Sequence, residues 1–250
     1  MRLNGKNAVV YGAAGKMGGA VARAFAREGA YVHLVGRTQS TLEAVAEEIT
    51  ELGGRATAAR IDVFDQDAVE AHADRVVEQA GSLDVSFNAV GMSAVQDVPL
   101  VDLKLEDFMT PILDSARSHF ITTTAAARRM AAQGSGVIVL LSASAADESR
   151  HRMGGFNIAC AGIEALNRSL AGEVGREGVR VVCIRPNFTP ETIPGLREDD
   201  PQLQPLLRDT RLGRLPRLAE VAEAAVFAAS AGAGAMTGAV LNLTCGALVD

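Results

Sequence analysis

The 250-residue sequence predicts an α/β domain, in which a doubly wound, mostly seven-stranded parallel sheet is flanked by helices on both faces. Short apolar runs alternate with longer amphipathic stretches, which is typical of consecutive βαβ units. The first run, Asn7–Tyr11, is continuously apolar at its centre, as expected of a strand buried on both faces. A glycine-rich turn follows it. Because no linker or internal repeat divides the chain, we expect residues 1–250 to form one domain.

The remaining elements follow in order along the chain. Further strands are predicted at 31–35, 56–61, 84–88, 137–142, 179–184 and 240–243. Helices are predicted at 17–28, 40–52, 67–80, 106–132, 155–174 and 219–229. Ser40 and Glu43 form a capping-box pattern at the start of the second helix, and Pro111 predicts a kinked or separate first turn in the fourth. The proline-rich stretch 187–213 predicts a mobile substrate lid over the carboxyl edge of the sheet.

Composition argues against several classes of protein. A formal net charge of −6 disfavours nucleic-acid binding, which needs a concentrated basic face. No apolar run approaches the roughly 20 residues of a membrane span, and the N-terminus resembles no signal or transit peptide. The three cysteines are too scattered for a disulfide framework or a zinc site. We therefore expect a cytoplasmic protein with reduced thiols, no metal and no membrane partner. The cysteines are Cys160, Cys183 and Cys245.

A dinucleotide-binding turn is predicted after the first strand, at Gly12-Ala13-Ala14-Gly15-Lys16-Met17-Gly18. Its glycines would let the backbone approach a pyrophosphate at the N-terminus of the next helix. A tight turn that only packs on the sheet is the alternative, but the strand before it and the helix after it favour a cofactor. Lys16 either contacts a phosphate or faces solvent.

The end of the second strand distinguishes between two cofactors. A carboxylate at this place would bind the ribose 2′-hydroxyl of NAD, whereas an arginine suits the 2′-phosphate of NADP. The sequence has Arg37 and Thr38 there, and no acid. We therefore expect NADP(H) rather than NAD(H), the alternative for Arg37 being an ordinary solvated side chain.

These motifs resemble the short-chain dehydrogenase/reductase superfamily, in its compact single-domain branch, over nearly the whole chain. Asp62-Val63 resembles the family's adenine-contacting pair, and Asn88-Ala89-Val90-Gly91 resembles its Asn-Asn-Ala-Gly stretch. Pro186 stands where a Pro-Gly usually meets the nicotinamide. The resemblance implies a Rossmann-type fold, cofactor contacts from Asp62, Val63, Asn88, Gly91 and Pro186, and a homodimer or homotetramer built on the fourth and fifth helices. Two residues depart from the pattern: Tyr11 replaces a Thr, and Lys16 replaces a Gly.

The resemblance also implies four catalytic positions. A Tyr exchanges the proton with the substrate oxygen, a Lys four residues later lowers the pKa of that Tyr, a Ser orients the substrate, and an Asn holds a water. The fifth strand, together with Ala161-Gly162, which match the residues that usually follow the Lys, aligns the Ser, Tyr and Lys positions. Glu106-Asp107-Phe108 and Phe120 bracket the Asn position, and all four positions hold other residues. No Tyr follows Tyr31 and no Lys follows Lys104, so no shift in register restores the pair. The residues at the Asn, Ser, Tyr and Lys positions are Ser115, Ala143, Phe156 and Cys160.

Other side chains near these positions are candidates for the missing chemistry. Ser142 and Ser144 flank the vacant serine position, and either could orient a carbonyl. His151 could donate the proton, since an unperturbed imidazole titrates near pH 6.5, although a solvated loop histidine is the more ordinary interpretation. A buried, inert thiol is the preferred interpretation of Cys160. The other histidines are expected at surface or packing positions: His33, His72 and His119.

The predicted function is that of an NADP(H)-binding protein that is impaired or atypical in carbonyl/alcohol oxidoreduction. Two alternatives stay open. One is an active NADP-dependent oxidoreductase with a non-standard proton donor. The other is a non-redox enzyme, a dehydratase, isomerase or cyclase, that uses the same pocket. In each case the expected partner is a small-molecule substrate or ligand.

Overall fold

A computed structural model describes residues 1–148, 151–197 and 200–249. In this part of the chain seven strands form one parallel sheet with the order β3-β2-β1-β4-β5-β6-β7. The predicted seven-stranded doubly wound sheet is thereby confirmed. The strands are β1 (Asn7–Tyr11), β2 (Tyr31–Gly36), β3 (Arg55–Arg60), β4 (Val85–Asn88), β5 (Gly136–Leu141), β6 (Val179–Pro186) and β7 (Val240–Leu243).

Helices connect the strands and cover both faces of the sheet. They are α1 (Lys16–Arg27), α2 (Gln39–Glu51), α3 (Gln66–Ala80), α4 (Leu105–Gln133), α5 (Phe156–Val174), α6 (Gln204–Asp209) and α7 (Leu218–Ala229). Short 3-10 turns lie at Ser144–Ala146, Gly175–Glu177, Pro190–Thr192, Pro201–Leu203 and Ala231–Ala233. Among the described helices, none combines the length and apolar character that a membrane span requires.

Two hydrophobic cores lie on opposite faces of the sheet. Ala8 and Val10 of β1 contribute to the core beneath α1, α2 and α7, while Val9 and Tyr11 contribute to the core beneath α3, α4 and α5. Side chains of a strand alternate between the two faces, so a strand covered on both sides must be apolar throughout. This requirement explains the continuous apolar centre of Asn7–Tyr11 in the sequence.

Three local predictions need correction or qualification. The Ser40–Glu43 capping box is wrong, because α2 begins at Gln39 behind Thr38, whose side chain makes no capping hydrogen bond. The separate first turn before Pro111 is also wrong, because α4 runs unbroken from Leu105 to Gln133 with Pro111 buried inside it. The segment 187–213 contains α6 and two of the 3-10 turns, and its residues 198 and 199 lie outside the described residues.

Candidate active site

The carboxyl ends of the parallel strands bring the predicted cofactor residues to one edge of the sheet. From β1 the chain winds outward through β2 and β3, then crosses back to place β4 on the other side of β1. This reversal leaves a crevice between the loops that follow β1 and β4, where doubly wound sheets bind their ligands. The glycine-rich turn follows β1, and Asn88 ends β4.

The glycine-rich turn is shaped by close backbone contacts. Gly12 has a φ of 75°, and a Cβ at this position would lie 2.6 Å from the carbonyl oxygen of Ala89 after β4. A Cβ at Gly18 would collide with the carbonyl of Gly12, whereas one at Gly15 would meet the same oxygen at 3.3 Å. Only glycine fits at positions 12 and 18, because any Cβ there would collide with neighbouring backbone. The absence of side chains at these positions also allows a pyrophosphate to approach the backbone closely.

Helix α1 begins directly behind this turn. Gly15 precedes it without a side-chain cap, and no acidic residue lies in its first turn. The free N–H groups and the positive end of the helix dipole therefore face the crevice without a competing carboxylate. Lys16 is exposed, while Met17 is partly buried and packs against the core. This arrangement fits the phosphates of a dinucleotide.

Arg37 and Thr38 lie in the short connection between β2 and α2, and both are exposed. Arg37 makes no hydrogen bond or ion pair with any of the described residues. Thr38 accepts a hydrogen bond at its carbonyl from Thr41 Oγ1, at 2.9 Å. The guanidinium is thus accessible to an anion at the end of β2.

The remaining predicted cofactor positions differ in their surroundings. Asp62 accepts a hydrogen bond from the Phe64 N–H at 3.0 Å, and Val63 is buried beside it.

Asn88 is buried and links β4 to α4, since its Nδ2 donates to Thr122 Oγ1 at 2.9 Å. A Cβ at Gly91 would meet open space, and Pro186 ends β6 as a buried residue. Asn88 therefore has a structural role whether or not a cofactor is bound.

The four positions aligned with the catalytic residues lie on α4, on α5 and behind β5. Ser115 is buried in α4, and Ala143 directly precedes the 3-10 turn behind β5. Phe156 is the first residue of α5, and Cys160 lies one turn later and is fully buried. Burial raises the pKa of the Cys160 thiol to about 12. The thiol is therefore protonated at neutral pH, which disfavours a nucleophilic role.

A buried polar network that the sequence analysis did not identify lies beside these positions. Glu164 of α5 is bound by Arg185 of β6 through two hydrogen bonds, at 2.7 Å from Nε and 2.6 Å from Nη2. Ser142 donates its hydroxyl to the same carboxylate at 2.8 Å. Ser142 therefore serves this network in the structure and is not free to orient a substrate carbonyl.

The two other candidates contact different segments. Ser144 donates to Asn187 Oδ1 at 3.2 Å, which joins the loop behind β5 to the start of the segment 187–213. His151 Nε2 lies 3.1 Å from Asp209 Oδ2 at the end of α6 and 3.7 Å from Glu148 Oε2. Residues 149 and 150 of this loop lie outside the described residues. Within the described residues, no hydrogen bond or ion pair joins His151 to either serine.

The comparison with known proteins identifies the family. Residues 12–247 match the family model described as Enoyl-(Acyl carrier protein) reductase. The chain belongs to the short-chain dehydrogenase/reductase superfamily. The predicted resemblance is thereby confirmed, and with it membership of an oxidoreductase family.

Several relatives of this short-chain dehydrogenase/reductase are similar over almost their full length. The cis-4-hydroxycyclohexanecarboxylate dehydrogenase of Sinomonas cyclohexanicum is 34% identical, over 96% of this chain and 95% of the relative. The D-threitol dehydrogenase of Mycolicibacterium smegmatis is 32% identical, over 98% and 94%. The fold matches the crystal structure of a gluconate 5-dehydrogenase from Burkholderia cenocepacia in complex with NADP and tartrate, with a TM-score of 0.89, 23% identity, and coverage of 98% of this chain and 95% of the other.

Sequence reasoning missed the charged and amide partners in this short-chain dehydrogenase/reductase. Arg185 is a charge at the end of the apolar run of β6, and Glu164 is a charge one turn beyond Cys160 on α5. Two opposite charges within segments that are otherwise apolar could have predicted a buried ion pair, because a single unpaired charge is costly to bury. Asn187 and Asp209 carried no comparable signal. All three other histidines are buried, which excludes the surface alternative: His33, His72 and His119.

Proposed function

We propose that the protein is an NADP(H)-binding short-chain dehydrogenase/reductase that lacks the usual proton relay and is therefore impaired or atypical in carbonyl/alcohol oxidoreduction. One observation carries this proposal: α5 begins with Phe156 and has the protonated, buried Cys160 one turn later. On the alignment, neither of these side chains can supply the acid and the cation of the relay. Loss of a general acid typically lowers a rate by about 10²–10⁴.

The residues of the crevice fit a dinucleotide. Gly12 and Gly18 provide bare backbone where a Cβ has no room, and the uncapped N-terminus of α1 offers N–H groups to a pyrophosphate. The exposed guanidinium of Arg37 supports NADP(H), since it would form a forked contact with a 2′-phosphate. Bound NADPH would supply a hydride, while the chain itself would position the substrate near Ala143 and Phe156 and exclude water there.

Calorimetric titration with NADPH and NADH tests cofactor binding directly, and it is suited to a chain without tryptophan. We expect NADPH to bind more tightly than NADH. Weaker binding of NADPH than of NADH would contradict the preference, and binding of neither would contradict the cofactor altogether.

A triple variant tests the loss of the proton relay. Ala143→Ser, Phe156→Tyr and Cys160→Lys together are expected to raise NADPH-dependent carbonyl reduction above the wild-type level. A wild-type protein that already reduces carbonyls at the rate of its relatives would contradict the proposal. Circular dichroism and NADPH titration of the variant confirm that it is folded and still binds its cofactor.

A second candidate function, an active reductase with His151 as its proton donor, is favoured by the contact with Asp209. The Asp209 carboxylate, 3.1 Å from Nε2, holds the imidazole in one orientation, as proton transfer to a substrate requires. In this candidate both His151→Gln and Asp209→Asn would lower turnover while NADPH binding stays unchanged. Wild-type turnover in His151→Gln would eliminate it.

A further inference from the structure

A second arginine lies beside Arg37 at the carboxyl edge of the sheet. The register of β2 and β3 pairs Gly36 with Arg60, and the Ile61 N–H donates to the Gly36 carbonyl at 2.9 Å. Arg37 follows Gly36, and Arg60 precedes Ile61. The two arginines therefore flank the last hydrogen bond of the β2–β3 ladder, on strands about 4.8 Å apart.

The direction of the Arg60 side chain follows from the register. A Cβ at Gly36 would meet Leu42 Cδ2 of α2 at 3.3 Å, so position 36 faces α2. Cα partners in a ladder project to the same face of the sheet, and Ala58 packs against the core that contains Leu42. Arg60 therefore leaves β3 on the side of α2, towards the connection that holds Arg37.

The charges around the two arginines leave both of them available. Neither Arg37 nor Arg60 has a hydrogen-bond or ion-pair partner in the ranges that the structure describes, and both are exposed. The neighbouring acids are bonded elsewhere: Asp62 to the Phe64 N–H, and Glu43 to Gln39 Nε2 at 2.8 Å. No acid lies in the first turn of α2. Two guanidinium groups without partners among the described residues thus belong to neighbouring positions at the end of the β2–β3 ladder, and their like charges repel unless an anion lies between them.

We propose that Arg60 is a second specificity residue, which binds the 2′-phosphate of NADP(H) together with Arg37. This inference rests on the NADP(H) preference proposed above. A phosphate monoester carries a charge of about −1.5 to −2 near pH 7 and has three acceptor oxygens, so it can accept forked hydrogen bonds from both arginines. NADH has only a hydroxyl at this place, and Arg60 therefore contributes to the discrimination between the two cofactors.

Calorimetry on four variants tests this role, with NADPH, NADH and the fragment 2′,5′-ADP as ligands. Arg60→Ala is expected to weaken the binding of NADPH and of 2′,5′-ADP about ten-fold, the loss typical of a charge-assisted hydrogen bond, and to leave NADH binding unchanged. Arg60→Lys keeps the charge without the fork and is expected to recover part of the affinity. Arg37→Ala is expected to give a larger loss. Arg176→Ala removes an exposed arginine before β6, at the opposite edge of the sheet, and is the matched control.

The possible outcomes separate the two proposals. Wild-type NADPH affinity in Arg60→Ala, combined with weakened binding in Arg37→Ala, would overturn the role of Arg60 and leave the NADP(H) preference intact. A wild-type protein that binds NADPH no more tightly than NADH would overturn both. An equal loss for NADPH and NADH in Arg60→Ala would also overturn the role, because NADH lacks the phosphate.

Discussion

Glu164 and Arg185 form a buried ion pair, in which each charge offsets the cost of burying the other. The Glu164 carboxylate accepts three hydrogen bonds, two from Arg185 and one from Ser142. Arg185 precedes Pro186, the residue aligned with the nicotinamide contact. Together with Ser142, the pair links α5, the end of β5 and β6. It thereby fixes the carboxyl edge of the sheet near Ala143 and Phe156.

At the residue scale we predict unequal costs for removing the members of this network. Glu164→Leu removes the carboxylate that accepts two hydrogen bonds from the buried Arg185 guanidinium, and it is expected to lower the free energy of unfolding by about 3–5 kcal/mol. Ser142→Ala removes one hydrogen bond of the carboxylate and should cost about 1–3 kcal/mol. Urea unfolding followed by circular dichroism measures both. A smaller loss for Glu164→Leu than for Ser142→Ala would contradict the assignment of a paired buried charge.

The turn between β1 and α1 shows how an element imposes its own sequence. The turn packs against the backbone of Ala89 behind β4, and a helix begins only a few residues later. Side chains therefore have little room in the turn. The space differs among its glycines: a Cβ at Gly18 would collide with the Gly12 carbonyl, while one at Gly15 needs a shift of only a few tenths of an ångström.

At the element scale we predict that Gly18→Ala and Gly15→Ala differ in cofactor binding. Gly18→Ala must displace the turn backbone and should weaken NADPH binding at least about ten-fold, which corresponds to about 1.4 kcal/mol. Gly15→Ala serves as the matched control, with a smaller loss. Calorimetric titration compares the two variants. Wild-type NADPH affinity in both variants would contradict a contact between the turn and the cofactor.

Three buried histidines connect the stability of the whole molecule to pH. Burial lowers the pKa values of His33, His72 and His119 to about 4. The rings of His33 and His72 lie 6.5 Å apart, so charge on one also opposes protonation of the other. The unfolded chain, with histidine pKa values near 6.5, therefore binds more protons than the folded protein in the range between these values.

We predict that the protein loses stability as the pH falls from about 6.5 towards 4, and that this contribution is fully present above 6.5. Each histidine contributes up to about 1.4 kcal/mol per pH unit in this window. Carboxyl groups with lowered pKa values, such as Glu220, take up protons mainly below pH 4.5, the ordinary pKa of a glutamate. They therefore do not explain a loss of stability that begins near pH 6. Urea unfolding at pH 7, 6 and 5 measures the slope. His72→Gln should reduce the slope, and an unchanged slope would contradict this explanation.

The assembly of the whole molecule is predicted from its family and from the exposed apolar side chains of α4 and α5. Leu113, Phe120 and Ile158 are about half exposed on these helices. We expect a homodimer or homotetramer that covers them. Phe120→Glu should shift the sedimentation coefficient towards that of the monomer. Leu52→Glu, at an exposed position behind α2 on the other face of the sheet, is the matched control, and a wild-type monomer would contradict the prediction.

The signals in the sequence that proved correct are local ones. The seven strands follow from apolar periodicity, and the turn at Gly12 from glycines whose spacing is set by neighbouring backbone. The family was indicated by its resemblance at short motifs such as Asp62-Val63 and Asn88-Ala89-Val90-Gly91. The two errors at helix starts, Ser40 and Pro111, are local as well, because capping and proline preferences are weak compared with the packing of a whole helix.

By itself, the sequence determined the class of fold, the position of the glycine-rich turn, and the absence of a Tyr after Tyr31 and of a Lys after Lys104. Only the tertiary structure decided which polar groups meet. Glu164 and Arg185 are 21 residues apart, and His151 and Asp209 are 58 residues apart. Periodicity reports which face of an element is buried, whereas the pairing of side chains depends on sheet order, strand register and the path of the loops. These exist only once the chain has folded.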